Sequence, residues 1–292
     1  MSYYKKIISV LAFFVLCCSI SAWAINLPYL DKAKIRLAIA PGETKYGEIN
    51  LENPTNEPVS MKLYLEDWSY SADGSGSKEF AVANTTPLSC APWITFSPAE
   101  INIPPFGKQR INYSVKVPAQ AEGGHYATLF FETKLGEPNV STAEMGAGIS
   151  VALRIAALFY VEPEGTIKRS GEFKELSLKR NNATSPLSIS VVFENTGNVD
   201  ITCGGTYHLM DKEGVIYARG ELSDAYTFGG QSAKMTAVWK EAIPKGKYDL
   251  VFTFDLGKAL EEAEMDRGPV VVKEAEVEIG ENGEVANVGQ MQ

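Results

Sequence analysis

Few side chains in this chain are of the kinds that usually carry out chemistry near neutral pH. His125 and His208 stand in separate halves, and neither lies in a catalytic motif. A covalent hydrolase needs a nucleophile, a base and a group to orient the base, and no G-x-S-x-G occurs. Gly204-Gly205 and Gly229-Gly230 are isolated pairs of the sort found in turns, without the lysine and spacing of a phosphate-cradling loop. Glu261, Glu262, Glu264 and Asp266 are near neighbours in sequence whose side chains point apart, so they read as a solvated face rather than a metal cluster. Asp73-Gly74 lacks the acidic spacing of a calcium loop and reads as a turn. Cys90 and Cys203, even with both histidines, make an unpersuasive zinc set. They are read either as a disulfide or as two separate half-buried thiols. The chain is therefore expected to be non-enzymatic, with no cofactor and no metal.

Lys and Arg total 27 against 36 Asp and Glu, for a net charge of −9. An acidic chain with scattered cations lacks the concentrated basic surface that nucleic acid requires. Its 292 residues, 45% of them hydrophobic, suffice for one large domain or two ordinary ones. The N-terminus has the form of an export signal: Lys5 and Lys6, an apolar run over residues 7–20, then Ala22-Trp23-Ala24 before a cleavage point. That run is shorter than the roughly 20 residues of a membrane helix. Cys17 and Cys18 lie inside it without the small residues of a lipoprotein signal ahead of them. Residues 1–24 are thus expected to be removed on export to the periplasm or cell envelope. No membrane span is expected after cleavage.

The elements that must position any binding group are strands. Ile111, Tyr113, Val115 and Val117 alternate with Asn112, Ser114 and Lys116, the period of a half-buried strand. Pro118 stops it, Gly123-Gly124 permit a turn, and a dense apolar run follows over residues 126–131. Similar alternations mark strands over residues 33–39, 46–51 and 59–68, with Asn53-Pro54-Thr55-Asn56-Glu57-Pro58 as a clear turn. Residues 80–88 read as irregular and 136–148 as a loop. Residues 149–161 form a long apolar run whose β-branched and aromatic residues favour a strand, with Arg154 in its middle. Glu162-Pro163-Glu164-Gly165 is a linker, after which strand patterns resume; Tyr248, just before a late strand, stands where sandwiches place a tyrosine corner. Residues 258–267 have helix-forming composition over one or two turns, and 280–292 read as a disordered tail. The expectation is an all-β protein with two immunoglobulin-like β-sandwich domains in tandem, over residues 25–163 and 164–279. Such a pair is suited to binding, because a sandwich edge offers unpaired N–H and C=O groups that an extended segment of another chain can complete.

The first domain resembles the periplasmic pilus and fimbrial assembly chaperones of the PapD type. The residues that carry the resemblance are R-x-x-x-x-P-G-E over 36–43 and L-E-N-P-T-N-E-P over 51–58. P-W-I-T-F-S-P-A-E-I-N-I-P-P over 92–105, Y-S-V-K-V-P over 113–118 and L-F-Y-V-E-P over 158–163 complete the set. The resemblance implies a chaperone that holds a pilin-like subunit by lending it the last strand of the first domain. Ile149, Val151, Leu153 and Ile155 would then line the donated face. It also implies a cleft cation for the subunit's terminal carboxylate, which falls on Arg36, whose planar fork suits both oxygens. The second cation of that family's pair falls on Ala157; Arg154, three residues away, faces the other side of the strand. A further resemblance, to two-domain surface proteins that bind cell-wall modules, implies the alternative of a structural envelope or adhesion module acting on a surface protein or wall polymer through its loops.

Overall fold

The computed structural model describes residues 27–135, 151–261, 265 and 268–292. The expected export signal, Ile149, the expected loop over 136–148, and Glu262, Glu264 and Asp266 lie outside these residues. Ten strands make the first domain. They are β1 (Tyr29–Leu30), β2 (Lys34–Ile39), β3 (Thr44–Glu52), β4 (Val59–Tyr70), β5 (Lys78–Val82), β6 (Ile94–Ser97), β7 (Glu100–Ile103), β8 (Lys108–Lys116), β9 (His125–Leu135) and β10 (Val151–Pro163). One sheet runs β1-β3-β8-β6; the other runs β2-β10-β9-β4-β5, with β7 also paired to β4. The two sheets close over a core in which Ile49, Ile111, Leu129, Phe131 and Phe159 are fully buried. Burying a large apolar side chain of this kind contributes about 1.5–3 kcal/mol, so the alternation of β8 and β10 is a strong determinant of register.

The second domain contains β11 (Gly171–Lys179), β12 (Leu187–Asn195), β13 (Ile201–Met210), β14 (Ile216–Thr227), β15 (Ser232–Trp239), β16 (Gly246–Asp255), β17 (Val270–Ile279) and β18 (Val285–Val288). Its sheets are β11-β12-β15 and β14-β13-β16-β17-β18. The fold is therefore all-β, two immunoglobulin-like sandwiches in tandem, with one short α-helix at Lys258–Glu261 and a single 3-10 turn at Ala91–Trp93 among the described residues. The tyrosine corner forms: the Tyr248 hydroxyl donates to the Pro244 carbonyl at 2.7 Å.

Two expectations are corrected. The tail is ordered: β18 pairs antiparallel with β17, and Gln292 exchanges backbone bonds with Glu274. Its charged residues occupy the turn, while Val285, Val288 and Met291 pack on the edge of the second core. The stretch over 80–88 begins as strand β5, which pairs with β4 from Glu66 to Tyr70.

Both domains tie a strand end with a buried asparagine. Asn53 donates to the carbonyls of Glu57, Ile103 and Pro104, and accepts from the N–H and hydroxyl of Thr55. Asn195 donates to Val199 and Thr227 and accepts from the Gly197 N–H. A side-chain amide that satisfies otherwise unpaired backbone groups explains why N-P-T-N and N-T-G-N stand where they do.

Candidate functional site

Strand β10 has two neighbours, but not along its whole length. On one side it pairs antiparallel with β9 from Val151 to Val161. On the other it pairs in parallel with β2 only from Leu158 to Pro163. Along residues 151–157 no strand among the described residues pairs with that second side, though β1 comes close to β10. Leu158 and Glu164 donate their N–H groups to Ala33 and Ile39 on the β2 side. Backbone groups alternate along a strand, so Ala152, Arg154 and Ala156 aim theirs at the uncovered side. Among the described residues this is a rim without a strand partner, the feature that an added strand satisfies.

The side chains of the rim fall on two faces. Leu153 and Ile155 are half-buried and point to the core side, Ile155 packing against the first hydrophobic core. Ala152, Arg154 and Ala156 lie on the outer face. Arg154 crosses the sheet: its guanidinium lies 3.7 Å from the ring centre of Phe130 on β9, and it bonds Glu66 on β4 at 2.7 Å, with Glu132 at 3.9 Å. The side chain of Val151 lies outside the described residues, as does Ile149.

At the other end of β10 the same outer face meets the second domain. Trp68 on β4 is surrounded by the rings of Tyr160 at 5.0 Å, Tyr126 at 5.4 Å and Phe228 at 5.4 Å, and Phe228 stacks on Tyr126 at 4.3 Å. Arg36 enters this cluster from β2, over the Tyr160 ring. The expectation of a cation free for a partner's terminus meets a different arrangement here. Its fork is already taken by Asp200, at 2.9 and 2.6 Å, and its Nη1 also donates to Glu162. Arg169 bonds the same Glu162 oxygen at 2.6 Å. The Arg36 side chain is only 6% exposed. Burial alone would favour losing its proton, but Asp200 and Glu162 outweigh that and hold its pKa above the ordinary arginine value. The Asp200 N–H donates to the Tyr126 hydroxyl at 2.6 Å, closing the network across the domain junction.

Two glycine contacts complete the junction. Gly123, at φ +74, bonds the Thr166 hydroxyl, and a Cβ there would meet the Asn198 carbonyl at 2.6 Å; Gly124 donates to that carbonyl. The β4–β5 loop reaches across as well: a Cβ on Gly76, at φ +80, would strike the Tyr226 ring at 2.6 Å. Beside Arg36 this leaves a cavity of about 410 Å³ between the domains, with Lys34, Lys78, Tyr70, Thr202 and Tyr226 among its walls. Burial, then the nearby Lys34, lowers the Lys78 pKa.

The remaining sequence candidates are structural. His125 begins β9 half-buried, tilted against Trp93 with ring centres 4.3 Å apart, rather than exposed on a turn; burial lowers its pKa. Cys90 and Cys203 are both free and buried, each in its own core. No group of three His, Cys, Asp or Glu side chains among the described residues is placed to hold a metal. No helix among them is long and apolar enough to cross a membrane. The junction roles of Asp200, Glu162 and Tyr126 carry no local sequence signal, since their partners are distant in the chain.

No protein-family model matches this chain, and no curated protein matches it. Among solved structures it is similar to the class 5 fimbriae chaperone CfaA, at 15% identity over 84% of this chain and 98% of that one, with a TM-score of 0.46. It is also similar to the CupB2 chaperone of Pseudomonas aeruginosa, at 10% identity over 84% and 98% of the two chains, TM-score 0.39. A third match is the Salmonella enterica SafA pilin in complex with the SafB chaperone, at 10% identity over 86% and 97%, TM-score 0.40. All three scores lie below 0.5. The tandem of immunoglobulin-like sandwiches is established by this chain's own strands.

Proposed function

We propose that this protein is an exported, non-enzymatic holder of assembly subunits, working in the periplasm or cell envelope in the manner of a pilus-assembly chaperone. An extended segment of the partner adds as a strand along residues 151–157 of β10. The observation that carries this reading is the rim itself: outward N–H and C=O groups at Ala152, Arg154 and Ala156, beside half-buried Leu153 and Ile155. A strand laid there gains main-chain bonds, and its inward side chains meet Leu153 and Ile155. Arg36 enters this reading as a cross-domain tie that keeps β2 and β10 in place, since Asp200 and Glu162 engage its fork.

Ala156→Pro tests the reading. Its N–H faces the uncovered side, so the substitution removes a rim donor and blocks an incoming strand without breaking a bond to β9. Tagged wild-type chain and the variant are used to capture partners from an envelope extract. The expected result is a small fibre subunit retained by the wild type and lost by Ala156→Pro, with unchanged thermal unfolding. Equal retention by a variant that still folds would show that the rim is not the contact.

A further inference from the structure

Arg154 is the sole ionisable side chain along residues 151–157, which read Val-Ala-Leu-Arg-Ile-Ala-Ala. It occupies the middle of the three positions whose backbone groups face outward, with alanine on either side. A strand added to the rim therefore meets one charged side chain of β10, at one register position, with Glu66 and Glu132 paired to it from β4 and β9. A strand pair is read through side chains that stand directly opposite on one face, where opposite charges attract and like charges repel.

A second copy of this chain presents the same rim, so the rim must reject it to stay open. Outward-facing residues pair with outward-facing residues in an antiparallel ladder. The register that uses the whole rim places Ala152 opposite Ala156 of the other copy, and Arg154 opposite Arg154. That is a like-charge pair on one face, a known obstacle to edge-to-edge association. Sliding by two residues removes the clash but leaves one outward residue of each copy unpaired. In the free chain Glu66 draws the guanidinium over Phe130, and the side chain remains 37% exposed. A carboxylate arriving at the rim competes for it with Glu66 and with Glu132, at 3.9 Å.

We propose that Arg154 selects what the rim accepts: it excludes a second copy of the chain and favours a partner strand carrying an aspartate or glutamate at the position opposite. This inference rests on the strand-addition reading and specifies the partner's chemistry.

The test uses the full mature chain. Two short acetylated peptides of alternating valine and threonine differ only at the central outward residue, aspartate in one and lysine in the other. Binding is followed by fluorescence anisotropy at low salt, and self-association by sedimentation velocity. The wild type should bind the aspartate peptide about fivefold tighter, with the gap shrinking at high salt, and Arg154→Glu should reverse the preference. Arg154→Val, a good strand former, should lower the concentration for self-association about tenfold, and Ala156→Pro in the same chain should abolish the gain. Equal binding of both peptides by wild type and Arg154→Glu would overturn the inference while leaving strand addition standing. Failure of every peptide to bind would count against strand addition itself, and the sedimentation arm then decides for Arg154. An Arg154→Val chain that self-associates no more than wild type, or a wild type already paired through β10, overturns it.

Discussion

Asp67 shows how much a single carboxylate can hold in place. It is fully buried on β4 and accepts from the N–H groups of Asn84, Thr85 and Thr86 and from the hydroxyls of Thr86 and Ser89. Burial would raise its pKa, but the Ser89 hydroxyl and the three N–H donors together bring it below the ordinary aspartate value. The stabilisation is fully present above the free-aspartate value of about 3.9 and is lost as pH falls through the lowered folded pKa. Asp67→Asn is expected to cost about 1.5–3 kcal/mol at neutral pH, and to remove part of the acid sensitivity of wild type. Urea midpoints for both proteins at neutral and acidic pH check this; parallel pH profiles would refute it. Tyr248→Phe should cost about 0.5–1.5 kcal/mol by deleting the bond to Pro244, read from the same urea curves.

At the scale of elements, the C-terminal strand protects an edge. Without β18 and the residues after it, β17 would expose, from Glu274 to Ile279, the alternate N–H and C=O groups, such as those of Glu274 and Glu276, that face away from β16. Truncation after Ile279 should speed amide exchange along that segment by at least about tenfold, because exposed edge amides open locally rather than with the whole domain. Unchanged protection there would mean that the tail contributes no cover. The tail also shows where sequence reading stops. Alternation at Ile111, Tyr113 and Val115 marks a strand because a buried face imposes a period of two. β18 is short, flanked by Glu281, Asn282 and Glu284, and acquires its order from a neighbour already in place. Likewise, residues 149–161 were legible as a strand with Arg154 facing away from Leu153 and Ile155. That its rim is uncovered only before Leu158 depends on where β2 begins to pair, which no local pattern encodes. The partners of Arg36 were hidden for the same reason: Glu162 comes from the end of β10, which runs through Pro163 where the sequence suggested a linker, and Asp200 from the second domain.

For the whole molecule, the junction couples two cores that could otherwise unfold separately. Arg36→Ala leaves Glu162 and Asp200 buried near one another without that cation, a loss of about 3–5 kcal/mol for a broken buried ion pair. Calorimetry should then resolve two unfolding transitions where the wild type shows one; a single transition shifted as a whole would mean that the aromatic contacts around Trp68 suffice. Gly76→Val probes the second contact between the domains. A branched side chain at φ +80 is strained and meets the Tyr226 ring. It should lift the β4–β5 loop and increase the radius of gyration measured by X-ray scattering.

Cys90 and Cys203 set a demand on how the protein reaches its folded state. Each thiol ends up sealed in a different core, and burial raises both pKa values, which keeps them out of the reactive thiolate form. In an oxidising compartment the unfolded chain has no such shelter, and a bond between the two sulfurs would staple together residues that belong to separate interiors. Folding in such a compartment would be a race in which collapse of each sandwich must finish before oxidation begins.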